Sequence, residues 1–229
     1  MRSSLLLLGA LSSQLVGVCS VFVTWGDSLT FGYDGYPYPM QLEVLTGITT
    51  LNRGANGQTS SQIAARFAAE PELFGERIVI WAGRNNVFDH TAVQDDIASM
   101  VSKITTSEYL VLGLINRHDE PLGSAGYNAM LATNLDLADT YGDHYIDMQH
   151  ILVHTFDPLT PVDQQDLNND VIPDWLEHPD LLHLNSTGYG VVAQTVADYF
   201  ASVPEPAETT GIVATGCALA ALGLRKRRA

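Results

Sequence analysis

SVFVTWGDSLT (residues 20–30) joins an apolar, β-branched run to a sharp turn and a serine. Residues 20–24 have the composition of a buried strand, and Gly26 lets the chain turn soon after it. Ser28 therefore follows the carboxyl end of the predicted strand, which is the edge of an open α/β sheet where ligands and catalytic groups collect. A serine at this edge is either a nucleophile, if a base reaches it, or an ordinary turn residue. Only partners elsewhere in the chain can decide between these two readings.

Strands and helices alternate along the rest of the core. Further strands are predicted at 48–51, 77–82, 109–114 and 144–147, and helices at 39–45, 60–69, 91–104, 124–141 and 186–201. This alternation favours an α/β fold, a single-domain flavodoxin-like three-layer sandwich with a parallel sheet of about five strands. The longest irregular stretch is 155–185, and a loop of that length in a compact domain is usually functional.

The composition is that of a globular protein with a strong acidic balance. Of the 229 residues, 46% are hydrophobic, and the formal net charge is −15. The predicted core, residues 21–203, keeps 24 of the 26 acidic residues but only 6 of the 11 basic ones. This balance argues against nucleic acid or an anionic membrane surface as a partner. Both cysteines, Cys19 and Cys217, lie outside the core, so no disulfide within it is expected.

Residues 1–20 have the layout of a secretory signal peptide. Arg2 gives a basic start, residues 5–18 are mostly apolar, and small residues follow. Cleavage after Ser20 would make Val21 the first mature residue. Cys19 raises the alternative of a lipoprotein, although a valine before it is bulkier than a lipidation site normally carries. A buried helix is the other alternative for this segment.

Residues 204–229 form a second targeting-type segment. VPEP (203–206) ends the last predicted helix, 211–224 is apolar and rich in small residues, and RKRR (225–228) follows. An apolar segment with a basic end is typical of a stop-transfer sequence. The order Pro-Glu-Pro, apolar segment and arginine cluster resembles the PEP-CTERM sorting signal, whereas a plain C-terminal anchor is the alternative.

The sorting resemblance implies a route for the protein. It implies transient membrane association through the C-terminal segment and processing by an exosortase-type enzyme. The destination would be the cell surface or extracellular matrix of a Gram-negative-type bacterium. The mature protein is then expected to lack both terminal segments.

Four polar patches fall where such a sheet would bring them together. GDSL (26–29), NRGANGQTS (52–60) and GRNN (83–86) follow the first three strands, and DLLH (180–183) precedes the last helix. The first three share one edge, because the carboxyl ends of parallel strands lie on the same side of a sheet. In this order, the patches resemble the four sequence blocks of the SGNH (GDSL-type) hydrolase superfamily.

The resemblance implies a role for each matching residue. Ser28 matches the nucleophile of the family, and Asp180 and His183 match its Asp-x-x-His pair. Ser28, Gly57 and Asn85 match the donors of its oxyanion hole, through two backbone N–H groups and one side-chain amide. The chemistry is consistent, because an imidazole can take the serine proton, a carboxylate can orient the imidazole, and the oxyanion needs preorganised donors.

Each residue alone has an ordinary alternative, and one position departs from the family pattern. Gly57 can serve a tight turn, Asn85 can cap a helix, and His183 is one of seven histidines. The four blocks in order, rather than any one of them, carry the assignment. The third block of the family usually reads Gly-x-Asn-Asp, whereas Asn86 stands in the aspartate position here. This departure brings the local hydrogen bonding of Asn85 into question.

The resemblance implies an exported serine esterase that hydrolyses small O-acyl esters through an acyl-serine intermediate. The expected substrate is a small acyl ester or an acylated polysaccharide, and the matrix-type sorting signal favours a carbohydrate O-acetyl ester. No cofactor is expected. The alternatives are a lipase or thioesterase with the same triad, and a catalytically silent matrix or surface protein that keeps the fold for binding.

The acidic stretch 166–177 carries a competing pattern of oxygen ligands at calcium-loop spacing. The weak candidate ligands are Asp166, Asn168, Asp170 and Asp174. Val171 stands where such a loop needs a glycine with positive φ. We therefore predict a solvated acidic loop with no metal, and we expect calcium to change the thermal stability only modestly.

Overall fold

The structure is a computed structural model that describes residues 21–33 and 36–203. The predicted signal and sorting segments, 1–20 and 204–229, lie outside the described residues. Within the described ranges, no helix is long and apolar enough to cross a membrane.

A parallel sheet of five strands lies at the centre of the described part of the chain, in the order β2-β1-β3-β4-β5. The strands are β1 (Phe22–Gly26), β2 (Thr50–Gly54), β3 (Arg77–Trp81), β4 (Tyr109–Leu112) and β5 (Tyr145–Ile146). This order is that of flavodoxin-like sheets, and it confirms the predicted fold class. The chain places β2 on one side of β1 and β3 on the other, so a crevice is expected at the carboxyl ends of β1 and β3.

Helices cover both faces of the sheet. They are α1 (Ser28–Phe31), α2 (Tyr38–Thr46), α3 (Ser60–Ala68), α4 (His90–Val101), α5 (Ala125–Tyr141), α6 (Met148–Val153), α7 (Pro161–Asn169) and α8 (Ser186–Ser202). Side chains of α2, α6 and α8 share one apolar core, and side chains of α3, α4 and α5 share the other. The sheet therefore has a packed layer on each side, as a parallel sheet requires.

The two central strands are buried on both faces. In β1, Phe22 packs into the α2–α6–α8 core, whereas Val23 and Trp25 pack into the α3–α4–α5 core. In β3, Trp81 and Ile80 divide between the same two cores. Each such side chain contributes about 1.5–3 kcal/mol when it is fully buried. Because side chains alternate between faces, double burial gives a continuous apolar run, which is the signal that predicted these strands.

The structure corrects several predicted boundaries. The first strand is Phe22–Gly26 rather than 20–24, and the second is Thr50–Gly54 rather than 48–51. Both extend further because β1 and β2 pair in register from Phe22–Thr50 to Gly26–Gly54. Propensity alone did not predict this extension, since its last residues, Asn52 to Gly54, are poor strand formers.

The prediction of an irregular stretch at 155–185 was wrong in part, because α7 lies within it. Its sequence, PVDQQDLNN, lacks the apolar spacing of an amphipathic helix. The available signals were Pro161 at the first turn and Asp170, which ends the helix in the left-handed region with φ of 51°. Helix α6 was not predicted either; the Asp147 side chain caps it by accepting from the N–H of His150.

Two facing glycines allow α1 to turn back over the ends of β1 and β2. Gly26 pairs with Gly54 across these strands. A Cβ on Gly54 would overlap with the backbone nitrogen of Phe31, and a Cβ on Gly26 would overlap with Thr30. The close approach of α1 places Ser28 immediately above the sheet edge.

We predict that Gly54→Ala destabilises the protein by about 1–3 kcal/mol, because its new Cβ meets backbone that cannot rotate away. Thermal unfolding by circular dichroism measures this loss. Gly75→Ala is the matched control, since a Cβ there meets its nearest neighbour at an ordinary 3.5 Å. Equal melting temperatures for the two variants would contradict the steric role of Gly54.

Candidate active site

The predicted site residues gather at the carboxyl edge of the sheet. Ser28 is the first residue of α1, directly after β1, and Gly57 and Asn85 lie in the loops after β2 and β3. Asp180 and His183 come from the segment that precedes α8. Three strand ends and one distant loop thus contribute to a single place.

Ser28, His183 and Asp180 form a continuous hydrogen-bonded chain. His183 Nε2 lies 2.8 Å from Ser28 Oγ, and His183 Nδ1 lies 2.6 Å from Asp180 Oδ2. When Nδ1 carries its proton toward the carboxylate, Nε2 is free to accept the proton of the serine. This is the arrangement that a general base and its nucleophile need.

The backbone fixes the carboxylate of Asp180. Its Oδ1 accepts from the N–H groups of Leu182 at 3.1 Å and His183 at 2.9 Å. Partial burial opposes ionisation, but these N–H groups and the imidazole outweigh it and lower the pKa of Asp180 to about 2. The carboxylate is therefore charged throughout the neutral range and can stabilise an imidazolium at His183.

The turn that carries this pair is strained. Leu181 has φ of 64°, in the left-handed region that a non-glycine residue seldom adopts. Two hydrogen bonds hold it there: the His118 N–H donates to the Leu181 carbonyl at 2.9 Å, and the Leu181 N–H donates to the His178 carbonyl at 3.1 Å. Backbone strain persists where neighbouring structure holds it, and here it sets the spacing between Asp180 and His183.

Tyr33 stacks on the His183 imidazole. The ring centroids are 4.6 Å apart at an interplanar angle of 25°, and Tyr33 also meets His178 edge-on at 5.7 Å. The stack restricts rotation of the imidazole and covers one of its faces. Tyr33 belongs to none of the four blocks and was not predicted; its proximity to Ser28 along the chain was the only available signal.

The backbone donors predicted for the oxyanion hole are free. The N–H groups of Ser28 and Gly57 donate to no acceptor among residues 21–33 and 36–203. Gly57 has φ of 71°, and a Cβ on it would meet nothing within 4 Å, so the loop is open at this point. Both N–H groups can therefore donate hydrogen bonds to an oxyanion as its negative charge develops.

The Asn85 amide is already held in place. Its Nδ2 donates to Asp27 Oδ2 at 3.2 Å and to the Gln58 carbonyl at 2.9 Å. Both amide protons are thus engaged in the free protein, and an oxyanion has to replace one of these acceptors. This arrangement orients the amide before the substrate arrives.

Asp27 is a buried carboxyl that links the turn to Asn85. Its Oδ1 accepts from the Leu29 N–H at 2.9 Å and caps α1, while Oδ2 faces Asn85. Burial raises the pKa of Asp27 to about 7, although the Leu29 N–H and the charge of Arg84 act in the opposite direction. Its hold on the Asn85 amide therefore strengthens as Asp27 ionises near neutral pH.

Asn86, the departure from the family pattern, does not disturb Asn85. Its Oδ1 accepts from the Ser60 N–H at 3.0 Å, and its Nδ2 donates to Ser60 Oγ at 2.9 Å. Ser60 Oγ in turn donates to Asp96 at 2.6 Å. Asn86 thus ties the loop after β3 to the start of α3, and the two hydrogen bonds of Asn85 are present beside it.

Arg66 connects the first two blocks and was not among the predicted site residues. Its guanidinium donates to the carbonyls of Gly26 at 3.2 Å and Arg53 at 2.9 Å, and to Gln58 Oε1 at 2.6 Å. It therefore holds the end of β1 and the loop after β2 in a fixed relation. In the sequence, Arg66 reads as a surface residue of α3, because its partners are distant backbone groups.

The calcium-loop candidates do not converge as that motif requires. Asp166 and Asn168 lie on α7, and Asp170 ends it and bonds to a tyrosine of α5. A helix across these positions cannot wrap its side chains around one ion. Asp166 and Asp174 instead lie near His118.

A family comparison agrees with this geometry. The sequence model of the GDSL-like lipase/acylhydrolase family matches residues 24–191. The match spans all four polar blocks and ends within α8. A sequence search of the curated proteins found no match.

Solved structures with the same fold come from several bacteria. A member of the lipolytic protein G-D-S-L family from Veillonella parvula DSM 2008 aligns with a TM-score of 0.63 at 17% identity, covering 80% of this chain and 100% of the other. A lipase/acylhydrolase from Enterococcus faecalis aligns with a TM-score of 0.59 at 15% identity, covering 82% of this chain and 100% of the other. An acetyl xylan esterase from Geobacillus stearothermophilus aligns with a TM-score of 0.55 at 13% identity, covering 82% of this chain and 97% of the other. At these identities, the likeness establishes the fold.

We predict that Asp27→Asn lowers kcat by up to about 10²-fold. The Leu29 N–H and the Asn85 amide both donate to Asp27, and an asparagine offers only one oxygen, so one of the two donors would face an NH₂ group. Stability should respond to pH as well. A carboxyl with a raised pKa binds its proton more tightly when folded, so its contribution declines as pH rises from about 4 to about 7.

The melting temperature of Asp27→Asn relative to the parent should therefore be higher at about pH 8 than at about pH 4. Asp95→Asn, at an exposed position of α4, is the control and should show no such trend. A melting-temperature difference between Asp27→Asn and the parent that does not change with pH would contradict a buried Asp27 with a raised pKa.

Proposed function

This chain belongs to the GDSL-like lipase/acylhydrolase family, and we propose that it is an exported serine esterase whose substrates are small O-acyl esters, with carbohydrate O-acetyl esters as the preferred class. Membership of this family makes the protein a serine ester hydrolase. The observation that supports the residue roles is the chain of hydrogen bonds from Ser28 through His183 to Asp180, at 2.8 and 2.6 Å.

Acylation begins at Ser28. Its Oγ attacks the ester carbonyl carbon while His183 Nε2 takes the hydroxyl proton. The ionised Asp180 stabilises the resulting imidazolium and keeps its Nδ1–H oriented. When the tetrahedral intermediate collapses, the imidazolium donates that proton to the leaving alcohol oxygen, and an acyl-serine remains.

The oxyanion forms on the former carbonyl oxygen. The free N–H groups of Ser28 and Gly57 and one proton of the Asn85 amide are its donors. The two backbone N–H groups are free beforehand, whereas the Asn85 amide exchanges one of its two acceptors, Asp27 or the Gln58 carbonyl, for the oxyanion.

Deacylation repeats these steps with water. His183 takes a proton from the water molecule that attacks the acyl carbon, and it then returns a proton to Ser28 Oγ as the carboxylic acid leaves. The named residues supply every proton transfer, so the proposed reaction uses no cofactor.

Three features support an acylated carbohydrate as the substrate class. The rim of the site presents the half-exposed ring of Tyr33, which stacks on His183 and can lie against a sugar face. A structure with the same fold is described as an acetyl xylan esterase. The patterns at 1–20 and 204–229 favour export to a surface or matrix, with an exosortase-type enzyme as the processing partner.

A lipase or thioesterase is the second candidate. Leu181, between Asp180 and His183, has 38% of its surface exposed, and Phe31 of α1 has 49% exposed. Leu181 lies within the catalytic turn, so its exposed apolar surface can accommodate a longer acyl chain. The dependence of rate on acyl length distinguishes the two candidates.

We predict that the full-length protein hydrolyses short-chain aryl esters and that Ser28→Ala and His183→Ala each lower kcat by about 10⁴-fold or more. Asn85→Ala should cost about 10²–10³-fold, because two backbone donors remain. Asp180→Ala should retain more activity than either Ser28→Ala or His183→Ala, since the imidazole survives. Ser102→Ala, at an exposed serine directly after α4, is the control, and its kcat should equal that of the parent.

The kinetic series uses aryl acetate, butyrate and octanoate, followed by release of acetate from an acetylated polysaccharide, with circular dichroism of each variant. Rates should fall as the acyl chain lengthens. Rates that rise with length would favour the lipase. Full activity in folded Ser28→Ala would remove the serine mechanism, and a parent inactive on every ester would favour a silent matrix protein.

A further inference from the structure

Four ionisable side chains from distant segments meet next to the turn that carries Asp180 and His183. They are His118 from the loop after β4, Asp166 from α7, and Asp174 and Glu177 from the segment after α7. His118 Nδ1 lies 2.9 Å from Glu177 Oε2 and 3.5 Å from Asp174 Oδ1. One ligand atom from each of these three residues lies within 4.8 Å of the other two. On the other side of the ring, Nε2 lies 3.9 Å from Asp166 Oδ1.

Two of the carboxylates are buried with an oxygen that has no partner. Asp166 is 4% exposed and Glu177 is 7% exposed. Asp166 Oδ2 and Glu177 Oε1 are each inaccessible and accept no hydrogen bond within the described ranges. Burial of an unpartnered carboxylate oxygen is costly. In the described part of the chain, His118 is the one cationic side chain within ion-pair distance of these two buried carboxylates, and its single charge is also shared with the exposed Asp174.

From this donor set, we propose that His118 Nδ1, Asp174 and Glu177 bind one divalent transition-metal ion, with Zn²⁺ as the best-fitting candidate. Imidazole nitrogen with carboxylate oxygen suits such ions, whereas Ca²⁺ takes six to eight oxygen ligands. Zn²⁺ ligands at about 2.0–2.1 Å in a tetrahedron lie about 3.3 Å apart. The separations of 2.9 and 3.5 Å around Nδ1 bracket that distance.

Asp166 lies on the side of His118 where metal-bound histidines usually have a supporting carboxylate. Such a histidine donates its second ring N–H to a carboxylate, which fixes the tautomer and the ring orientation. The Nε2 of His118 lies 3.9 Å from Asp166 Oδ1, which is within ion-pair range but longer than a hydrogen bond, so the two groups would move closer when the ion binds. The three ligands leave the fourth coordination position of a tetrahedral ion to water.

An ion can reach the site from solvent. The Asp174 side chain is 64% exposed. It lines a surface groove together with Asp157, Asp163 and Trp175. The acidic lining of this groove attracts cations to the entrance.

The proposed ion would support the catalytic turn without taking part in the chemistry. The backbone N–H of His118 donates to the strained Leu181 at 2.9 Å. Glu177 pairs with Leu184 in an antiparallel bridge, and its carbonyl accepts from the Asn185 side chain at 3.1 Å. Two of the three ligands therefore hold the beginning, middle and end of the segment 177–184.

The test uses the full-length chain carrying Cys19→Ser and Cys217→Ser, so that thiols do not compete for the metal. After treatment with a chelator and its removal, Zn²⁺ is titrated by calorimetry, and thermal melts are recorded with and without it. We expect one Zn²⁺ per chain and a rise in Tm of several degrees, because the ion binds the folded state. Calcium should produce little shift.

Asp174→Asn is the primary variant, because its side chain is exposed and the metal-free fold should survive the change. It should weaken Zn²⁺ binding at least tenfold, while Glu177→Gln should abolish the Tm shift. Asn168→Ala, an exposed member of the calcium-like pattern, should bind as the parent does. His154→Ala tests the exposed His150–His154 pair on and just after α6, whose rings are 3.9 Å apart, and it too should leave binding unchanged.

Two results would overturn the proposal. One is a parent whose Tm does not respond to Zn²⁺. The other is binding that persists in Asp174→Asn and Glu177→Gln but disappears in His154→Ala. In either case, protonated His118 alone would be the partner of the buried carboxylates.

Discussion

The hydrogen bond between Ser28 Oγ and His183 Nε2 joins residues 155 positions apart, and much of the fold serves to maintain it. On the serine side, β1 is buried on both faces, and the paired glycines at its end and at the end of β2 admit α1. On the histidine side, the segment before α8 has no strand to anchor it. Side-chain and backbone contacts at His118, Glu177 and Asn185 hold that segment instead.

Two aspartates beside this hydrogen bond show how environment sets the protonation state. Asp27 is buried with few compensating donors, and its pKa rises to about 7. Asp180 is partly exposed and receives two backbone N–H groups and the imidazole, and its pKa falls to about 2. Asp27 therefore strengthens its hydrogen bond to the Asn85 amide as it ionises near neutral pH. Asp180 remains a charged counterion for His183 throughout that range.

The sequence was informative where local pattern and function coincide. The doubly buried strands β1 and β3 read as apolar runs, and each of the first three strands is followed by a polar block, so the sheet and its catalytic edge could be predicted. Helix α7 could not, because its residues are polar and its stability comes from contacts distant in sequence. Tyr33, Arg66 and His118 were missed for the same reason: each acts on a partner that only the fold brings near. The consequence of Asn86 was equally invisible, since it depends on the position of Ser60.

The central claim is that His183 activates Ser28 for covalent catalysis. The most direct measurement is reaction of the folded protein with a fluorophosphonate, followed by intact-mass and peptide mapping. The account predicts one adduct per chain, located on Ser28, which forms neither after denaturation nor at a comparable rate in His183→Ala. An adduct on another residue, or equal labelling of the parent and His183→Ala, would contradict it.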